Sequence, residues 1–277
     1  MFTKVWVFPV MFVICSLVGM YGSFFTGVFL GHFPLQMNFI SAIGALPPER
    51  CIFAMFINAA VFFMAVTVYL RHRQIVEYYG HRLQMQFGVW RVCSTMLTAF
   101  AFLSAFGISL LANFPDIDVK IVHRIGSTMA FFFGLLYIWG QVVFGYIMSP
   151  AMTTKAMSHF RLLIVILATE TLILYEVCVN SHIFIPADAG PRPPRKNGIR
   201  WYTPDSPYYI NHMAATISEW LGVIFVDIFI LTFANELQFA YLQVPRLRFI
   251  NEPRRLSETT DGEEESFAQS HQSFEVY

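Results

Sequence analysis

The stretch CIFAMFINAAVFFMAVTVYL, residues 51–70, carries no charged side chain. As a helix rising about 1.5 Å per residue it would be about 30 Å long, the thickness of a bilayer's hydrocarbon core. In lipid only helices and closed barrels satisfy every backbone group, and this run is too long and too continuously apolar for an alternating barrel strand. Five further apolar stretches lie at 5–28, 89–112, 122–147, 159–180 and 212–236. The expected fold is all-α, a polytopic six-helix transmembrane bundle, with one membrane domain over residues 1–240. Composition agrees, because 56% of the 277 residues are hydrophobic and 13% charged, against about a quarter charged in a soluble domain. Such a chain has too little polar surface for a soluble fold, and nucleic acid is not among its expected partners. Stretch 5–28 follows Lys4, and its apolar run through Leu30 outlasts the core of a signal peptide, about 7–15 residues, so a retained anchor is expected.

Orientation follows from the basic residues. With a cytosolic N-terminus, Lys4, Arg71, Arg73, Arg82, Arg91, Lys155, Arg161, Arg246, Arg248, Arg254 and Arg255 fall inside, eleven of the 18 Lys and Arg. Arg50, Lys120, Arg124, Arg192, Arg195, Lys196 and Arg200 fall on the other side. This excess predicts both termini in the cytosol. Short connectors at 71–88, 113–121 and 148–158 predict antiparallel neighbours. Segment 181–211 is interrupted by Pro186, Pro191, Pro193, Pro194, Pro204 and Pro207 and reads as an irregular exoplasmic loop. Residues 241–277 turn basic and then acidic around Glu263, Glu264 and Glu265, and a disordered cytosolic tail is expected.

Small residues let helices approach closely in lipid. Gly27 with Gly31, Gly126 with Ala130 and Gly134, and Ala101 with Ala105 and Ser109 are three candidate seams, read as internal packing rather than dimerisation. Ionisable residues inside spans each cost about 2.5–3.5 kcal/mol on insertion scales and usually have a partner. They are Glu170 and Glu176 in the fifth stretch and Glu219 and Asp227 in the sixth. Glu219 and Asp227 are separated by about 80° around a helix and can share an interior. Arg124, at the start of the fourth span beside His123, is the expected partner of Glu219 or Glu176. A buried polar clasp is the preferred role for this cluster, with an ion or proton path and a lipid-headgroup site as alternatives.

Catalytic signatures are missing: the sequence has no HExxH, GxSxG, Walker loop or paired CxxC, so no enzyme activity, cofactor or metal is expected. His32, His123, His182 and His212 all fall near the expected exoplasmic face, yet no two have ligand spacing on one helix. Ordinary interfacial histidines are the preferred reading over a metal-dependent lipid hydrolase or a pH sensor. Cys51 and Cys178 come at exoplasmic span ends, where oxidation would allow a bridge. Tyr241, Leu242, Gln243 and Val244 fit a tyrosine-based sorting pattern, which short sequences often match by chance.

Three further segments carry local logic. Within 38–57, NFISAIGALPPERCIFAMFI, Ser41 opens the run, Gly44 permits an unusual turn, Pro47 and Pro48 stiffen it, and Glu49 suits the first turn of the next helix. Asn113 and Pro115 stop the third span, and His123 with Arg124 opens the fourth as a polar interfacial anchor. In 217–238, ISEWLGVIFVDIFILTFANELQ, Trp220 suits the headgroup zone beside Glu219.

Together these segments resemble the Frag/DRAM/Sfk family, and most closely its damage-regulated autophagy modulator branch. The resemblance covers about residues 5–240, and it is the combined spacing of SxxG–PPE, ANF–VH and SEW–LTF that is specific. Members resembling that branch usually read S-D-T-G where this chain has Ser41, Ala42, Ile43 and Gly44, so no role for that acid carries over to Ala42. The resemblance implies a lysosomal or endosomal membrane protein that promotes autophagy without catalysis. Its partners would be membrane lipids and an unidentified cytosolic protein at the loops or tail. Other branches imply alternatives: a plasma-membrane scaffold for a phosphatidylinositol 4-kinase, GPI-anchor lipid remodelling, or ion or solute transport.

Overall fold

A computed structural model describes residues 4–241 apart from 37, 86, 182 and 197. In chain order the elements are α1 (Val7–Phe29), the single turn α2 (Ile40–Ile43), α3 (Glu49–Val76), α4 (Val89–Asn113), α5 (Lys120–Ile147) and α6 (Lys155–Asn180). A two-residue hairpin, β1 (Arg195–Lys196) with β2 (Ile199–Arg200), follows, then α7 (Tyr209–Leu231) and the short α8 (Ala234–Leu237). Among the described residues six helices are long and apolar enough to cross a membrane, so the chain has the fold of an all-α membrane bundle. The sorting-type pattern from Leu242 onward and the basic residues Arg246 to Arg255 lie outside the described residues.

Side chains such as Phe25, Phe62, Phe106, Phe132, Val143 and Ile173 are exposed on the outside of α1, α3, α4, α5 and α6, a surface that only lipid covers cheaply. Sequential helices pack as neighbours, α1 on α3, α3 on α4, α4 on α5, α5 on α6 and α6 on α7, with α7 also meeting α1. We call the end where α1 begins and α8 lies the terminal end. The opposite, capped end carries the segment between α1 and α3 and the segment between α6 and α7.

Several local expectations change. The connector expected over 71–88 is largely helix: α3 continues through Val76 and widens into a π turn over Glu77–Arg82. Arg71, His72, Arg73 and Gln74 end the apolar run, but the extension still has a core, because Ile75 and Tyr79 pack with Trp90, Phe144 and Met148. The Gly27–Gly31 pair does not mark a helix seam. Gly31, at φ +72°, ends α1 in a Schellman motif: Gly31 N–H donates to Val28 O and His32 N–H to Gly27 O. The seam between α4 and α5 is internal, and at Gly107 the backbones of the two helices come together. A Cβ there would lie 2.6 Å from Ala130 N and from Gly126 O. Gly126 faces it reciprocally, and Ala101, Ala105 and Ala130 are buried.

Candidate functional site

At the capped end, the polypeptide between α1 and α3 is clamped by α7. Glu219 Oε2 accepts the Ile40 N–H at 2.8 Å, and Trp220 Nε1 donates to Asn38 O at 2.9 Å. Both side chains are buried. Glu219 thereby serves a backbone donor at the start of α2 that α2 itself leaves orphaned. Trp220 is not the headgroup anchor that its place in the sequence suggests. Its indole N–H has a buried carbonyl partner, so the ring can bury, and it packs against Tyr21 and Phe24 with centroids 5.3 and 6.2 Å away.

The other motif positions build the same cap. Glu49 has a side chain 0% exposed, with Oε1 2.6 Å from His32 Nδ1, while Ser23 Oγ donates to Glu49 O at 3.1 Å. Gly27 makes the room, since a Cβ on it would come within 2.3 Å of the Phe33 ring and 2.8 Å of Glu49 Oε1. Gly44 has an ordinary φ of −97°, so an unusual turn is not what it provides. It is needed because a Cβ would strike the Phe53 ring at 2.7 Å. Pro47 and Pro48 are exposed at the turn into α3, and Ser41 lies beside the interior cavity described below. Arg50 ties the cap to the α4–α5 connection: its guanidinium donates to Ala45 O and to Asp118 Oδ2, the latter at 2.6 Å.

Asn113 belongs to a polar trio across α3 and α4. Asn58 Oδ1 accepts from Ser109 Oγ at 2.7 Å and from Asn113 Nδ2 at 3.2 Å, and Asn58 Nδ2 donates to Asn113 Oδ1 at 3.1 Å. His123 is buried, with Nδ1 2.9 Å from Phe114 O, where it closes the end of α4.

The expected cluster of Arg124, Glu176, Glu219, Asp227 and His123 comes together only in part. Arg124 is exposed and makes no ion pair among the described residues. It sits one position beyond His123, about 100° around the helix, and His123 takes the inward face. Glu176 is also exposed and accepts from Asn180 Nδ2. Glu170 is exposed as well. Glu219, Asp227 and His123 do converge: with Ser16, Ser41, Ser104, Ser127 and Tyr137 they are the polar part of the wall of a mostly apolar interior cavity of about 120 Å³. Asp227 accepts from Ser16 Oγ at 2.8 Å. Among the described residues no group of three or more His, Cys, Asp or Glu is arranged to hold a metal, and His182 lies outside them. Cys51 is exposed and Cys178 buried, and no disulfide joins them.

One buried cluster was not anticipated from the sequence. At the terminal end Glu236 lies between Arg71 and Arg161, whose side chains are 0% exposed. Oε2 pairs with Arg71 Nη1, and Oε1 is 2.7 Å from Arg161 Nη1. Arg71 also donates to Gln74 and Gln141, and Arg161 to Thr232. Both guanidiniums lie on the Phe233 ring, 5.1 and 4.9 Å from its centroid. This joins α3, α5, α6 and the α7–α8 junction. Counting Arg and Lys as loop markers hid it, because Arg71 and Arg161 entered the orientation count rather than the search for charges inside spans. That search, applied to both signs and run to the ends of the spans, finds Arg161 in 159–180 and Glu236 at the end of 212–236, whereas Arg71 falls one position past 51–70.

Both halves of the clamp lie inside residues 4–239, which match the Frag1/DRAM/Sfk1/Cwh43P N-terminal domain. The chain belongs to this family. It is 30% identical to mouse (Mus musculus) DNA damage-regulated autophagy modulator protein 2 over 222 residues, 80% of this chain and 79% of the relative. To the human (Homo sapiens) DNA damage-regulated autophagy modulator protein 1 it is 26% identical, over 80% of this chain and 86% of the relative. The zebrafish (Danio rerio) modulator of macroautophagy TMEM150B is 29% identical over 149 residues, 53% of this chain and 60% of the relative. No solved structure matches the chain. The names of these relatives describe modulators rather than enzymes.

Proposed function

We propose that this protein is a non-enzymatic multi-pass modulator of autophagy in a lysosomal or endosomal membrane, with both termini cytosolic. The observation that carries the reading is the similarity to autophagy modulators over most of both chains, 80% of this chain against 79% of the mouse relative. The chemistry of the buried acids is consistent with it. Glu49 faces His32, Glu219 holds the Ile40 N–H, Asp227 takes the Ser16 hydroxyl, and Glu236 joins two arginines. Each has a structural partner. Tagged protein should colocalise with a lysosomal marker, and exclusive residence at the plasma membrane would overturn the reading. Deleting Arg246 to Arg255 should then leave activity in place, whereas a phosphoinositide-kinase scaffold would lose it.

The interior cavity with Glu219, Asp227 and His123 on its wall favours transport as a second reading. Proteoliposomes would show ion or proton flux sensitive to Glu219→Gln and Asp227→Asn if it holds, and none if it does not.

A further inference from the structure

Between positions 192 and 200 the chain carries Arg192, Arg195, Lys196 and Arg200. The hairpin sets Arg195 directly opposite Arg200, and its turn contains Gly198 at φ +82°, as tight hairpin turns require. Directly opposite residues of an antiparallel pair project from the same face, where like charges repel. Both arginines line a cleft of about 220 Å³ at the capped end, together with Arg192, Tyr202, Tyr208 and His212. Among the described residues, Asp116 is the one acid on its wall against these three arginines. Arg200 Nε is buried without a hydrogen-bond partner, and the Arg192 guanidinium lies over the Tyr208 ring at 5.8 Å. On one side the wall is formed by Asn38, Phe39 and Ser41, the segment that Glu219 and Trp220 hold in place. The adjoining positions are the end of α6, at Cys178 and Val179, and the start of α7, at Asn211, so the cleft sits at the level where a span leaves the bilayer.

We propose that this cleft binds a phosphate-bearing anion, with Arg195 and Arg200 sharing its oxygens across the hairpin and Arg192 beside them. A guanidinium presents parallel N–H donors that match two phosphate oxygens, and an anion between two facing arginines turns their repulsion into a shared attraction. The volume lies below the roughly 300–1,000 Å³ of pockets that take drug-sized ligands, so the occupant is a phosphate with at most a small substituent. That group is supplied either by the headgroup of an acidic phospholipid or by a soluble phosphate.

The full chain, purified in neutral detergent, is titrated calorimetrically with dioctanoyl phosphatidic acid, with inorganic phosphate and with dioctanoyl phosphatidylcholine. Binding of phosphatidic acid alone supports a lipid source, and binding of inorganic phosphate with similar affinity supports a soluble one. The double variant Arg195→Gln/Arg200→Gln should weaken that binding by about tenfold or more per arginine. Arg124→Gln, an exposed arginine at the same end, should leave it unchanged. If the glutamine variant does not stay monodisperse, Arg195→Lys/Arg200→Lys replaces it, keeping the charge but not the fork, and about tenfold weakening is expected. The proposal is overturned if the wild type binds neither phosphate probe, if phosphatidylcholine binds as tightly as phosphatidic acid, or if the variant used keeps wild-type affinity.

Discussion

Glu236 is the single carboxylate between two fully buried guanidiniums. Glu236→Gln therefore leaves two unneutralised charges in an apolar surround, and breaking a buried ion pair from one side costs about 3–5 kcal/mol. A marked fall in thermal stability in detergent is expected. Arg71→Met should be milder, since Glu236 and Arg161 remain paired one to one, and equal losses in the two variants would contradict this partition. At the other end, Trp220→Phe removes the donor to Asn38 O and strands a buried carbonyl, at a cost of about 1–3 kcal/mol. Its effect should appear in unfolding curves, accompanied by faster proteolysis between α1 and α3.

At the scale of elements, the α4–α5 seam is the least forgiving contact. Gly107→Val would place a Cβ 2.6 Å from backbone atoms of α5, where no rotamer change relieves the clash, and monodisperse protein should be lost. Gly31→Ala meets nothing within 4 Å but forces an L-residue to φ +72°, so a stability loss of only about 1–2 kcal/mol is expected. Thermal unfolding of the two variants separates steric need from conformational need. The spans were legible in the sequence because continuous apolarity over 20 residues has few other meanings. What surrounds them was less so. The α3 extension was masked by the polar residues at 71–74, and the core it rests on, Ile75 and Tyr79 against Phe144, forms only once α5 is beside it. Gly44 and Trp220 were misread because their reasons, the Phe53 ring and the Asn38 carbonyl, are tertiary. The pairing of Arg124 failed because adjacent helix positions diverge by about 100°, and charge alone does not say which one faces inward. The hairpin was hidden by the prolines around it, although Gly198 was a signal for its turn.

For the whole molecule, the charge bias behind the proposed orientation includes Arg71 and Arg161, both now placed inside the bundle, so sidedness needs its own experiment. The sequence has no N-x-S/T site, and any glycan on an engineered one reports position without background. A sequon placed at Ala187 should be glycosylated and one appended after Tyr277 should not, with the reverse pattern inverting the topology. Membership in the family and similarity to autophagy modulators make the role in autophagy the claim on which the functional reading rests. The most direct measurement is autophagic flux, followed as turnover of a lipidated autophagosome marker with and without lysosomal inhibition, in cells lacking the protein and in cells re-expressing it. Flux should fall in the null and return with the wild-type chain; a null with unchanged flux, under both fed and starved conditions, would contradict the role.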